Sequence, residues 1–201
     1  MISIIDYDAG NIKSVEKALE YLGEKPIITR DKDIILSSDK VILPGVGSFG
    51  DAMGKLKEYN LSNVIYDVVD AKKPFLGICL GLQLLFKDSE ETPGVSGLGI
   101  LDGSILRIPD DKELKVPHIG WNSLNIKDGA TLFKGIADNS YVYFVHSFYL
   151  KAANENEVVA TTEYATHIHA SVEKDNIFAC QFHPEKSSEV GLSILRNFIE
   201  L

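Results

Sequence analysis

The chain has 201 residues, of which 45% are hydrophobic and 24% charged, a balance that excludes a disordered chain or a collagen-like repeat. At that length one domain, residues 1–201, buries a full core without a disulfide or metal staple. The formal net charge is −9 and there is no basic run, which argues against nucleic acid or an anionic membrane as partner.

Ile2 to Ile5 reads as a strand, ended by Asp6-Tyr7-Asp8-Ala9-Gly10. It has no basic start of the signal-peptide kind, so a cytoplasmic location is expected. Ile12, Val15, Leu19 and Leu22 recur at helical spacing, with Gly23 where a helix C-cap belongs. Lys25 to Thr29 and Val41 to Leu43 follow as strands, the second stopped by Pro44-Gly45-Val46-Gly47. Leu61, Val64, Ile65 and Val68 predict another amphipathic helix. Pro74 to Ile78 is a fourth strand, and Leu80 to Phe86 has helical character. The apolar stretch from Phe75 to Phe86 is broken by Gln83 and is too short to span a bilayer. Strands alternating with helices predict a mostly parallel sheet flanked by helices. The second half departs from that pattern. Ile100–Ile108, Asn122–Ile126, Tyr141–His146, Val158–Thr162, His167–Val172 and Ile177–Phe182 look like strands joined by loops, until Leu192, Leu195 and Ile199 close the chain as a helix. The expected fold is therefore α/β with an antiparallel strand extension.

Two cysteines in a cytosolic chain point to reduced thiols. Cys180, inside Ile177-Phe178-Ala179-Cys180, reads as core. Cys79 lies in Gly77-Ile78-Cys79-Leu80-Gly81, where an apolar strand turns into a helix. This is the thiol form of the nucleophile elbow, whose sharp turn lifts the reactive atom above the sheet and leaves no room for neighbouring Cβ atoms. The helix N-terminus favours thiolate, and the Leu80 amide is placed to donate to an oxyanion. A thiol nucleophile needs a base held by a third group. His183-Pro184-Glu185 follows the last strand; in extended chain Glu185 points the same way as His183, and Pro184 stiffens the spacing. His167-Ile168-His169 would share a strand face, but no C-x-x-C or H-E-x-x-H accompanies it, so no metal site is assigned.

Gly77-Ile78-Cys79-Leu80-Gly81-Leu82-Gln83 together with Gln181-Phe182-His183-Pro184-Glu185 resembles the class I (triad) glutamine amidotransferase family. Asp6-Tyr7, Gly10-Asn11, Pro44-Gly45-Val46-Gly47-Ser48-Phe49, Pro117-His118-Ile119-Gly120-Trp121-Asn122, Tyr143-Phe144-Val145-His146-Ser147-Phe148 and Lys186-Ser187 extend the likeness over the whole chain. They are most similar to the branch of glutaminase subunits that serve histidine biosynthesis. The resemblance implies a flavodoxin-like fold, no cofactor, and hydrolysis of L-glutamine to glutamate and ammonia through a Cys79 thioester, with His183 and Glu185 completing the triad. It implies an oxyanion hole from Leu80 and Val46, and glutamine held by Gly47, Gln83, Glu91 and Ser147. Without the family, a solvent-facing Gln83 is an equal reading. The ammonia would pass to a separate cyclase subunit with a (β/α)8 barrel, too large for this chain to contain, which makes imidazole glycerol phosphate and an aminoimidazole carboxamide ribotide. Asn11, Ser48, Trp121 and Lys186 are the interface candidates, although a lone tryptophan also reads as a core anchor. A glycine-rich oxyanion loop with more than one backbone state would make activity depend on partner and ligand. A non-catalytic scaffold subunit, or an amidotransferase subunit of another pathway, is the alternative.

Overall fold

The computed structural model describes residues 1–201. In chain order, β1 (Ile2–Ile5), α1 (Ile12–Tyr21), β2 (Ile27–Thr29), α2 (Lys32–Ser37), β3 (Lys40–Leu43), α3 (Phe49–Glu58), α4 (Leu61–Asp70), β4 (Phe75–Ile78) and α5 (Leu80–Leu84) form the alternating half. There follow β5 (Asp88–Ser89), β6 (Gly103–Arg107), β7 (His118–Ser123), β8 (Asn125–Ile126), β9 (Tyr141–His146), β10 (Phe148–Ala152), β11 (Val158–Glu163), β12 (His167–Lys174), β13 (Ile177–Cys180) and α6 (Ser188–Ile199).

The main sheet runs β2-β1-β3-β4-β13-β12-β11-β8. The pairings from β2 through β13 are parallel and those from β13 to β8 antiparallel, so the antiparallel extension is continuous with the parallel sheet. The parallel part has the doubly wound order 2-1-3-4-5 when β13 is counted fifth, and in such sheets ligands gather at the carboxyl ends of the strands. Strand alternation divides the core between the two faces. Phe75, Ile177 and Ala179 join Leu56, Val64 and Val68 of α3 and α4 on one side; Leu76, Ile78, Phe178 and Cys180 join Val15, Leu19, Leu195 and Phe198 of α1 and α6 on the other.

Several boundaries follow directly from local chemistry. Gly23 takes φ 94°, and the bonds from Gly23 N–H to the Glu20 carbonyl and from Glu24 N–H to Leu19 close α1 as a Schellman cap. Two helices and two strands go beyond the sequence expectation. The six-residue α2 buries only Ile35, too little for a periodic signal, and rests on Asp31 capping the Asp33 and Ile34 amides. In α3 the apolar positions Phe49, Ala52, Met53 and Leu56 are diluted by Gly50 and Gly54. Strand β10 pairs with β6, and β5 completes that smaller sheet. The strand expected over Asn122–Ile126 is instead two: β7 starts at His118 and pairs with β9 as a separate ribbon, while β8 edges the main sheet.

Candidate active site

Cys79 occupies the first position beyond β4 with φ 54° and ψ −106°, a region that residues bearing a Cβ rarely enter. The surrounding strand–turn–helix holds it there. A Cβ on Gly77 would lie 2.8 Å from the Gly81 carbonyl oxygen, and one on Gly81 only 1.9 Å from the Leu43 carbonyl oxygen, so both flanking glycines are steric requirements. The Cys79 amide donates to the Cys180 carbonyl at 2.8 Å, which brings the residues just beyond β4 and β13 side by side. Cys180 itself is fully buried, and burial pushes its thiol well above the usual range.

His183 lies at the same carboxyl end of the parallel strands, three residues beyond β13. Its ring is buried, and its Nδ1 meets Glu185 Oε1 at 2.7 Å; the Glu185 carboxylate is sealed from solvent. A carboxylate only accepts, so Nδ1 carries the hydrogen and Nε2 is the basic nitrogen, which has no hydrogen-bond partner. Burial opposes charge on this ring, but the neighbouring Cys79 sulfur and the Glu185 carboxylate outweigh it and raise the imidazole pKa. Glu185 does not reach the ring by extended-chain alternation. His183 is extended, but Pro184–Lys186 form a 3₁₀ turn, closed by the Ser187 hydroxyl donating to the His183 carbonyl at 2.6 Å. The turn, not the strand period, brings the carboxylate back.

A cavity of about 320 Å³ opens beside the sulfur. Its lining includes Cys79, Leu80, Val46, Gly47, Gln83, Glu91 and Ser147, so the residues assigned to the nucleophile, the oxyanion hole and the glutamine site line one cavity. A groove of about 370 Å³ along Asp88–Ser96 and β6 has no thiol or imidazole in its wall. Within the cavity two assignments are qualified by their partners. Gln83 commits its Nε2 to the Phe148 carbonyl and to Gln181 Oε1, each at 3.0 Å, and Glu91 accepts the Phe49 amide at 2.8 Å. Beneath Ser147 and Phe148 a neutral histidine pair braces the wall. His118 Nδ1 meets His146 Nε2 at 3.0 Å, His146 Nδ1 donates to the Phe148 carbonyl at 2.9 Å, and burial lowers the two pKa values to about 4 and about 3.

The two amides assigned to the oxyanion hole are not both available in this conformation. The Leu80 amide donates to the Gly45 carbonyl at 3.3 Å. That carbonyl shares a planar trans peptide with the Val46 N–H, so the Val46 donor points the opposite way. Tyr7 packs against this loop: its hydroxyl donates to the Pro44 carbonyl at 2.7 Å, and a Cβ on Gly45 would sit 2.0 Å from it.

The interface candidates divide. Trp121 is 50% exposed and no core anchor; it stacks edge-on against Tyr143 and shares the outer face of the β7–β9 ribbon with the exposed Ile119 and Tyr141. Lys186 is exposed in the turn beyond His183. Ser48 instead caps α3, accepting from the Asp51 amide at 3.3 Å. Asn11 points inward, where its amide donates to Glu185 Oε1 beside His183. Sequence reasoning gives no role to Gln181, whose Nε2 lies 3.6 Å from Cys79 Sγ; the only signal for it is its place two residues before His183.

The glutamine amidotransferase class-I family model matches residues 3–201. The chain is 51% identical over 201 residues to the imidazole glycerol phosphate synthase subunit HisH of Methanocaldococcus jannaschii, covering 100% of both. It is 50% identical over 198 residues to the subunit of the same name from Bacillus cereus, covering 98% of this chain and 93% of that one. Among solved structures, a glutamine amidotransferase superposes with a TM-score of 0.77 at 20% identity over 99% of this chain and 97% of that one. PurLQS from Thermotoga maritima gives 0.76 at 22% identity, covering 99% and 97%. At those identities the structures speak for the fold alone, whereas the family model and the full-length relatives speak for descent. The chain belongs to the class-I glutamine amidotransferase family.

Proposed function

We propose that the protein is the glutaminase subunit of an imidazole glycerol phosphate synthase, working in the cytoplasm in histidine biosynthesis, with residues 1–201 as one amidotransferase domain. The names of relatives at about half identity over the full length support this. The observation that carries it is the convergence, at the carboxyl ends of β4 and β13, of a thiol on a strained elbow and a buried imidazole oriented by a carboxylate, beside a cavity of about 320 Å³.

In the proposed reaction the Cys79 thiol passes its proton to His183 Nε2, and the sulfur attacks the side-chain carboxamide carbon of L-glutamine. His183 delivers a proton from Nε2 to the departing nitrogen, and ammonia leaves behind a thioester. His183 then takes a proton from water as the water attacks, the C–S bond breaks, and glutamate departs with the sulfur restored. Glu185 keeps the imidazole in the tautomer that both proton transfers need. Gly47, Glu91, Ser147 and the Gln83 carbonyl oxygen form the glutamine site.

With the Gly45 carbonyl on the Leu80 amide, the tetrahedral oxyanion has no donors. Turning the Gly45–Val46 peptide over would free Leu80 and add Val46, and one such donor is worth about 3 kcal/mol in the transition state. We assign that turn to docking of the partner, a (β/α)8-barrel cyclase that consumes the ammonia. The apolar outer face of the β7–β9 ribbon, with Trp121, and the neighbouring Lys186 are its docking surface.

The test is glutamate formation by the purified chain, alone and with the cyclase and its nucleotide substrate. Turnover should be slow alone and rise at least about a hundredfold in the complex, one donor's worth. Cys79→Ala should abolish both rates. Absence of glutamate under every condition would refute the assignment.

A further inference from the structure

We infer that Gln181 is a catalytic residue of this reaction, its carboxamide N–H holding the Cys79 sulfur in the anionic form, and that Gln83 is the positioning residue that fixes which end of that carboxamide faces the sulfur. The inference rests on the reading of Cys79 as the nucleophile.

The polarity of the contact follows from a group that can only accept. The Phe148 backbone carbonyl receives Gln83 Nε2 at 3.0 Å, which fixes the amino end of the Gln83 side chain. The same Nε2 reaches Gln181 at 3.0 Å, so Gln181 presents its oxygen there and turns its own amino group the other way. That amino group is the one 3.6 Å from Cys79 Sγ. A hydrogen-bond direction set at a main-chain oxygen is thus carried through two carboxamides to the sulfur. His146, donating to the same Phe148 oxygen, anchors the far end.

The setting gives the contact weight. Gln181 is fully buried and Gln83 nearly so, so water does not compete for either amide. The Gln181 backbone is fixed by its amide donating to the Ala170 carbonyl at 2.8 Å. The Leu80 amide, the other neutral donor beside the sulfur, is occupied by the Gly45 carbonyl. Gln181 also differs in kind from His183. A carboxamide keeps its hydrogens at every working pH, so it stabilises negative sulfur without using the proton that His183 must hand to ammonia. The same N–H faces the sulfur when charge returns to it on thioester breakdown.

The test reads the sulfur without glutamine. The full chain is treated with iodoacetamide from pH 5 to 10, and carbamidomethylation of Cys79 is followed by mass spectrometry, with melting curves recorded for every variant. Gln181→Met keeps the volume and removes the donor. It should slow Cys79 alkylation about tenfold at neutral pH and move the midpoint of the profile up by about one pH unit, as expected for a hydrogen bond to a charged group. Gln83→Met, which never touches the sulfur, should shift the midpoint in the same direction by less. It also serves as the decisive variant if Gln181→Met does not fold. Folded variants whose alkylation profiles superpose on the parent's would overturn the inference and leave Gln181 a packing residue. Glutamate formation in the cyclase complex separates the two readings. Turnover with an unmoved alkylation profile defeats only the role of Gln181; a shifted profile without turnover defeats the glutaminase assignment and leaves the sulfur contact standing.

Discussion

At the scale of single residues, the site is governed by which side chains are kept neutral and which are kept charged. His118 and His146 lie in a hydrogen-bonded file that works only while both are uncharged, and burial lowers their pKa values to about 4 and about 3. Unfolded histidine titrates near 6.5, so between that pH and about 4 the unfolded chain binds protons that the folded chain refuses. Their contribution to stability is complete above pH 6.5 and is lost as the pH falls. His169, lowered by burial as well, adds to the same slope. His183, with its pKa raised, acts in the opposite sense, and its contribution is lost on the alkaline side. Melting temperature should therefore fall steadily from pH 7 to 4.5, and His118→Phe should flatten that slope while keeping a ring stacked between Phe144 and Tyr164. An unchanged slope would mean that the pair is not the titrating group.

At the scale of elements, the elbow depends on glycines that differ sharply in what surrounds them. Gly81→Ala drives a Cβ into the Leu43 carbonyl, which the β3–β4 pairing holds in place, and should cost at least about 3 kcal/mol. Gly54→Ala, on the exposed side of α3 with open space around it, should gain about 1 kcal/mol from helix propensity. Urea midpoints of the two variants check the contrast. The elbow at Cys79 and the contact of His183 with Glu185 were legible in the sequence because each is encoded within a few positions, although a 3₁₀ turn and not the strand period makes that contact. The strands β1 and β9 were legible to the residue, being short apolar or alternating runs with abrupt ends. What escaped was set by long-range pairing. Asn11 reaches Glu185 across 174 positions, and Gln181 meets Cys79 only because β13 lies beside β4. Nor could a glycine-rich stretch announce which way the Gly45–Val46 peptide faces, since glycine accommodates both orientations. Helix α2 was invisible because one buried residue makes no period.

At the scale of the molecule, the β7–β9 ribbon has two unlike faces. One carries Ile119, Trp121 and Tyr141 outward; the other carries His118, Phe144 and His146 inward. Trp121→Ala should weaken the dissociation constant for the proposed cyclase about thirtyfold, the loss of a hot-spot aromatic, as read by titration calorimetry. Alkylation of Cys79 in the free chain should not change, since Trp121 stacks on the exposed side of Tyr143 and not on a group at the sulfur.

Cys79 and Gln181 each stand on the first residue past a strand, and His183 only two residues further, so in the proposed reaction the frame beneath them serves the splitting of an amide and nothing about the fate of the nitrogen released. Such a scaffold can be handed from one metabolic route to another by redrawing exposed side chains, with the core and the reacting atoms left alone. The fold alone is what superposes on solved structures that share about a fifth of their residues with this chain.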